Sequence, residues 1–156
     1  MRIAMVCLGN ICRSPMAAAV AGAMLDEAGL SSVVTVESFG TAGYHVGERI
    51  DASAEEALRR HGWSAAGHRA RRLERSDVEA ADLVLCADNA NLADVRRLAG
   101  RDGYKAKLLR SYDPASPAGA EVPDPWGGND ADFDDALLLI EGACRGLAAE
   151  LSTAHR

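Results

Sequence analysis

No apolar run in the 156-residue chain approaches the roughly 18–20 residues needed to cross a bilayer, so no membrane partner is expected. The opening Met1–Val6 carries one positive charge and a short apolar stretch, soon interrupted by Asn10 and Arg13. That is too little for a secretion signal. Cysteine is sparse: four residues, at positions 7, 12, 86 and 144, are too few and too irregular for a disulfide framework. A reducing cytoplasm is the expected compartment. Basic residues are outnumbered, 17 to 23, and the net charge of −6 argues against a protein that coats nucleic acid. There are no internal repeats and no linker-like tract. No histidine pair has ligand spacing and Cys7 and Cys12 do not form a Cys-x-x-Cys motif, so neither metal nor cofactor is expected. What is present is ordinary for a globular protein: 48% apolar and 26% charged residues, over a length that suits one domain spanning 1–156.

Short apolar runs at Arg2–Val6, Val33–Glu37, Asp82–Ala87 and Ala106–Leu109 read as buried strands. Helical patterns lie between them. Ser14–Ala28 has Pro15 in its first turn, where a missing N–H costs little, and Gly29 as a stop. Asp51–His61 has an acidic cap and early glutamates, then Arg59 and Arg60, matching the helix dipole. Ser76-Asp77-Val78-Glu79 has the form of a capping box, and Asn89–Leu98 reads as a further helix. The last helix, about Asp130–Ser152, places Phe133, Leu137, Ile140, Cys144, Leu147 and Leu151 on one stripe. The alternation predicts an α/β domain of three layers, a four-stranded parallel sheet with helices on both faces. Ser111–Asn129 is the longest irregular segment, and loops of that length in a compact domain are usually functional. Ligands of such sheets bind at the carboxyl ends of the strands. The turn after Val6 is therefore where chemistry is expected.

That turn reads Cys7-Leu8-Gly9-Asn10-Ile11-Cys12-Arg13-Ser14-Pro15. A cysteine followed six positions later by arginine is weak by itself, since chance supplies about 0.4 such pairs in a chain of this make-up. Position carries the weight. The cysteine ends a strand, the arginine opens a helix, and Gly9 and Asn10, which tolerate positive φ, lie between. Such a loop turns the N–H groups of Leu8–Ser14 inward as an anion nest at a helix N-terminus. A thiol in that field ionises readily. Arg13 offers a planar fork for two phosphate oxygens, and Ser14 can donate to the Cys7 sulfur or cap the helix. Val122-Pro123-Asp124-Pro125 holds one carboxylate between two stiff residues; alone it also suits an Asx turn.

Cys7–Pro15 resembles the signature of the low-molecular-weight protein tyrosine phosphatases. The likeness extends to Ser38 and Gly40–Tyr44, to His61-Gly62 and Gly67–Arg71, to Asp88 and Asn91, and to Asp124-Pro125. The resemblance implies that Cys7 is the nucleophile, that Arg13 binds phosphate and that Asp124 is the general acid. It further implies that Asn10, Ser14, Ser38 and His68 brace the loop. The implied reaction is hydrolysis of an aryl phosphate through a phosphocysteine, on a phosphotyrosine protein or a small aryl phosphate, by a monomer. Cys12, five residues from Cys7 across the curled loop, either captures an oxidised Cys7 as a disulfide or fills space beneath the cradle.

Tyr44 and Trp126 are expected at the pocket rim, where two rings suit a flat aryl group and leave a short phosphoserine out of reach. Many relatives carry an aromatic pair after Asp-Pro, whereas this chain has Trp126-Gly127-Gly128. Single residues set the chain apart from other activities of similar sites. Arsenate reductases of this fold relay oxidation through two further cysteines about two turns apart, but Cys86 is followed at that distance by Ala93. Phosphoarginine phosphatases tend to carry threonine where Ile11 stands. A phosphocysteine carrier needs neither Arg13 nor a general acid, and a non-catalytic binding module would be expected to lose Cys7 or Asp124. Arg69, Arg71, Arg72 and Arg75 form either a solvated face or an attractant for acidic substrates, and the carboxylates of Glu121–Asp135 a solvated loop and helix start.

Overall fold

In the computed structural model, which describes residues 1–156, four short runs pair side by side as a parallel sheet. These are β1 (Arg2–Cys7), β2 (Thr35–Gly40), β3 (Leu83–Cys86) and β4 (Ala106–Leu108), in the order β2-β1-β3-β4. Cys7 pairs with Gly40 on one side and Val6 with Cys86 on the other, so β1 is central and ends beside both neighbours. Alternation along β1 divides the core. Ile3, Met5 and Cys7 face a large apolar cluster with α1 (Arg13–Glu27), α2 (Ala52–Arg60) and α5 (Asp130–Ala154). Ala4 and Val6 face a smaller one with α3 (Arg75–Ala80) and α4 (Asn89–Ala99). Three layers result, as the alternation predicts.

Local chemistry sets the element ends. Asp51 caps α2 through Ser53 and Ala54 N–H, and Asn129 and Asp132 form the box that opens α5. Gly29, at φ 77°, follows the C-cap of α1. Two expectations shift. The second strand runs Thr35–Gly40 rather than Val33–Glu37, because Val33 belongs to the exposed turn whose N–H donates to Leu30 O. The capping box of α3 is Glu74 with Asp77, two residues before the one read from Ser76 and Glu79. Short 3-10 helices at Gly100–Lys105 and Leu109–Tyr112 flank β4, and the second shortens the irregular segment. No helix is long and apolar enough to cross a membrane.

Candidate active site

β1 ends at Cys7 and α1 starts at Arg13, so Leu8–Cys12 must reverse the chain between them. The turn hinges on Asn10, the only non-glycine residue with positive φ, at 58°. Outside donors take the loop carbonyls: Thr41 N–H on Cys7 O, Ala42 N–H on Leu8 O, His68 Nε2 on Asn10 O, Asp51 N–H on Ile11 O and Met16 N–H on Cys12 O, all at 2.7–3.1 Å. The amide N–H groups of Leu8–Cys12 have no acceptor within the protein. With carbonyls turned out and amides unpaired, the loop is a ready-made anion nest. Gly40 permits its close approach to β2. A Cβ there would lie 2.7 Å from Leu8 O and 3.1 Å from Asn10 N.

Side chains lock the nest from below. Asn10 is fully buried; its Nδ2 donates to Ser14 Oγ at 2.7 Å and Ser38 Oγ at 3.0 Å, while its Oδ1 accepts from Arg71 N–H at 3.0 Å. Ser14 Oγ lies 3.0 Å from Cys7 Sγ and 3.2 Å from Phe39 O. Its single proton serves one of these acceptors at a time: the carbonyl when Cys7 is a thiol that donates, the sulfur when it is a thiolate. Ser14 does not cap α1, whose N-cap Cys12 makes no side-chain capping bond. Burial pushes the His68 imidazole below its ordinary pKa, aided by Arg71 and opposed by the bond to Asn10 O. Neutral His68 therefore donates from Nε2.

Arg13 is buried, and its Nη1 is held by Asp88 Oδ2 at 2.7 Å and Val122 O at 2.9 Å. Nη2 faces Asp124 Oδ2 at 3.6 Å. One nitrogen anchors the fork and the other is left for a ligand. Asp88 is a double anchor, because its Oδ1 also accepts Asn91 N–H at the start of α4. Asp124 stands 43% exposed at the rim, with Oδ1 accepting Trp126 N–H at 3.2 Å. The Asx turn and the poised carboxylate are thus one arrangement. Arg13 and Asp124 line a cavity of about 280 Å³ with Cys7 and Ile11 on its walls and the exposed Tyr44 and Trp126 at its mouth.

The expected residues therefore come together: Cys7 through Ser14, Ser38, His68, Tyr44, Asp124 and Trp126 all border the loop or its cavity. Cys12 lines the same cavity. Its thiol is raised well above the ordinary range by burial first, then by Asp51, Asp124 and Cys7. Two residues that the sequence placed in the family pattern, Asp88 and Arg71, take roles it did not assign, and a third, His45, it did not single out. Asp88 anchors Arg13, a role its Asp-x-x-Asn capping pattern hinted at only as a helix start. Arg71 ties Asn10 to Ser38 O and lays its guanidinium 4.2 Å over Phe39. His45 walls the cavity against Gly9, and no local pattern announces it.

A thiol beneath converging amides suits a phosphoryl group better than a carbonyl, because several non-bridging oxygens need donors at once. Fold and site define a cysteine-dependent phosphomonoester hydrolase. The model of the low molecular weight phosphotyrosine protein phosphatases matches residues 2–156, and the chain belongs to that family. A low molecular weight protein-tyrosine-phosphatase of Streptomyces coelicolor is 45% identical over 151 residues, 95% of this chain and 92% of the relative. Among solved structures, YfkJ from Bacillus subtilis superposes with a TM-score of 0.92 at 32% identity, covering 100% of this chain and 97% of that one. A mutant of the arginine phosphatase YwlE with a phosphorylated active-site serine gives 0.88 at 30% identity, covering 97% and 95%.

Proposed function

We propose that this chain hydrolyses phosphotyrosine in phosphoproteins, and small aryl phosphates, with Cys7 as nucleophile, Arg13 as phosphate ligand and Asp124 as general acid. The observation that carries the reading is the set of unpaired amides of Leu8–Cys12 around the Cys7 thiol. The phosphate dianion settles on these N–H groups and on Arg13 Nη2, which releases Asp124 from its contact at 3.6 Å. Cys7 Sγ attacks phosphorus opposite the leaving oxygen, stabilised by Ser14 Oγ–H. As the P–O bond to the aryl group breaks, Asp124 gives its proton to the departing oxygen. Water then attacks the phosphocysteine, Asp124 takes its proton, the S–P bond breaks and phosphate leaves. No step calls on a metal or cofactor.

The apolar Ile11 wall and the Tyr44 and Trp126 rings favour an aryl leaving group over the guanidine of phosphoarginine. The test is Cys7→Ser. Hydrolysis of an aryl phosphate is abolished while vanadate binding persists, because the amides remain and only the nucleophile is lost. Full activity of that variant overturns the covalent route. Wild-type turnover of a phosphoarginine peptide faster than of a phosphotyrosine peptide overturns the substrate class.

A further inference from the structure

The structure divides the arginines of residues 69–75. Arg71 is turned into the Asn10 and Ser38 network, as described above. Arg69 lies on a separate cavity beside Trp63 and His68. Arg72 and Arg75, joined by Arg97 of α4, border a larger groove of about 940 Å³ on the other side of the loop. This groove adjoins the catalytic cavity, since Leu8 and Tyr44 line both. Its floor, Thr41–Tyr44, is clamped to the nest by Thr41 N–H on Cys7 O and Ala42 N–H on Leu8 O. A chain leaving the mouth over Tyr44 and Leu8 therefore passes to the groove on their other side.

The charges there are not equivalent. Asp94 is paired with Arg97, and Arg75 reaches Glu79 at 3.5 Å. Arg72 has neither an ion pair nor a side-chain hydrogen bond. Its backbone is fixed against the end of β2, with Gly40 N–H on Arg71 O at 2.9 Å and Leu73 N–H on Gly40 O at 2.7 Å. Its stem passes beside Gly43, where an added Cβ would lie 3.5 Å from Cδ. An unpaired guanidinium is thus held on a rigid edge beside the catalytic mouth, in a protein of net charge −6 that otherwise repels acidic segments.

We infer that this groove receives the polypeptide flanking the phosphotyrosine, and that Arg72 selects an acidic side chain there. The inference rests on the phosphotyrosine reading and adds a sequence preference to it. Arg72 lies beside Gly43, the neighbour of Tyr44 at the mouth, so the selected carboxylate belongs to the residues next to the phosphotyrosine rather than to a distant segment.

The experiment uses phosphotyrosine peptides with glutamate, alanine or lysine two and three residues before the phosphotyrosine, a second set with them after it, and a small aryl phosphate. In one set, glutamate raises kcat/KM about two- to fivefold over alanine, the size an exposed ion pair supports, through KM and not kcat. The preference fades at high salt. Arg72→Ala removes it, Arg72→Glu reverses it towards lysine, and Arg72→Lys keeps it. All three variants hydrolyse the small aryl phosphate at the wild-type rate, which also shows that they fold. No glutamate preference in either set, or a preference that survives Arg72→Glu, overturns the inference. Failure of the wild type to hydrolyse the small aryl phosphate would instead strike the catalytic reading.

Discussion

At the scale of single residues, Asn10 does the most with the least. It supplies the φ of 58° that turns the loop, and its side chain satisfies two hydroxyls and a backbone N–H in a site closed to water. Asn10→Ala leaves those three groups short of a partner and places a Cβ-bearing residue without asparagine's local bonds in the left-handed region. Each loss is worth about 1 kcal/mol or more, so the variant should be less stable by roughly 3–5 kcal/mol. Asn10→Gly relieves only the backbone share and should recover about 1 kcal/mol of it. Urea unfolding of both variants checks this; equal losses would mean that φ is irrelevant and the bonds carry everything. The tolerance of Asn10 for positive φ was legible in the sequence, as were Cys7, Arg13 and Ser14 in their spacing. The anchor of Arg13 was not, because Asp88 lies 75 residues away and ion pairs leave no local pattern.

Among the elements, α5 shows how a fold can require a poor helix former. Its buried stripe from Phe133 to Leu151 packs on α1, in the spacing that the sequence predicts. Gly146 sits where the turn at Leu109–Tyr112 crosses the helix, and a Cβ there would collide with the Tyr112 carbonyl, lying 2.9 Å from its carbon. A Cβ on Gly22 in α1 would meet nothing within 4 Å. Alanine is the better helix former by about 1 kcal/mol, so propensity alone predicts that both substitutions stabilise. Sterics reverse one of them. Gly22→Ala should gain up to about 1 kcal/mol, and Gly146→Ala should lose roughly 1–3 kcal/mol because backbone must move. Denaturant midpoints separate the two; a stabilised Gly146→Ala would mean that the turn does not press on the helix. The apolar stripe and most caps could be read from local periodicity, while the crossing at Gly146 and the shift of β2 to Thr35–Gly40 depend on which segments meet in space.

For the whole molecule, the sheet order brings distant parts of the chain to one point. Cys7 comes from the end of β1, Asp88 from the end of β3, and Asp124 from the long segment before α5, whose Val122 pairs with Ala87 at 2.8 Å and holds Arg13 through its carbonyl. Cys7 and Asp124, the proposed nucleophile and acid, are separated by most of the sequence, and the 3.6 Å contact of Asp124 with Arg13 brings the later segment to the loop that carries Cys7. If Asp124 protonates the departing oxygen, its value depends on how badly that oxygen needs a proton. Asp124→Ala should slow phosphorylation of Cys7 by phosphotyrosine or phenyl phosphate about 10²–10⁴-fold. A nitro-substituted aryl phosphate, whose phenolate leaves unaided, should lose much less in the same step. Turnover of both can still fall, because the same carboxylate takes the proton of the hydrolytic water, so burst kinetics must isolate the first step. An equal loss for every leaving group in the burst would make Asp124 a loop-shaping residue, consistent with its bond to Trp126 N–H alone. The acid would then have to be sought elsewhere, and Asp88, tied to both Arg13 and Asn91, is poorly placed to move a proton.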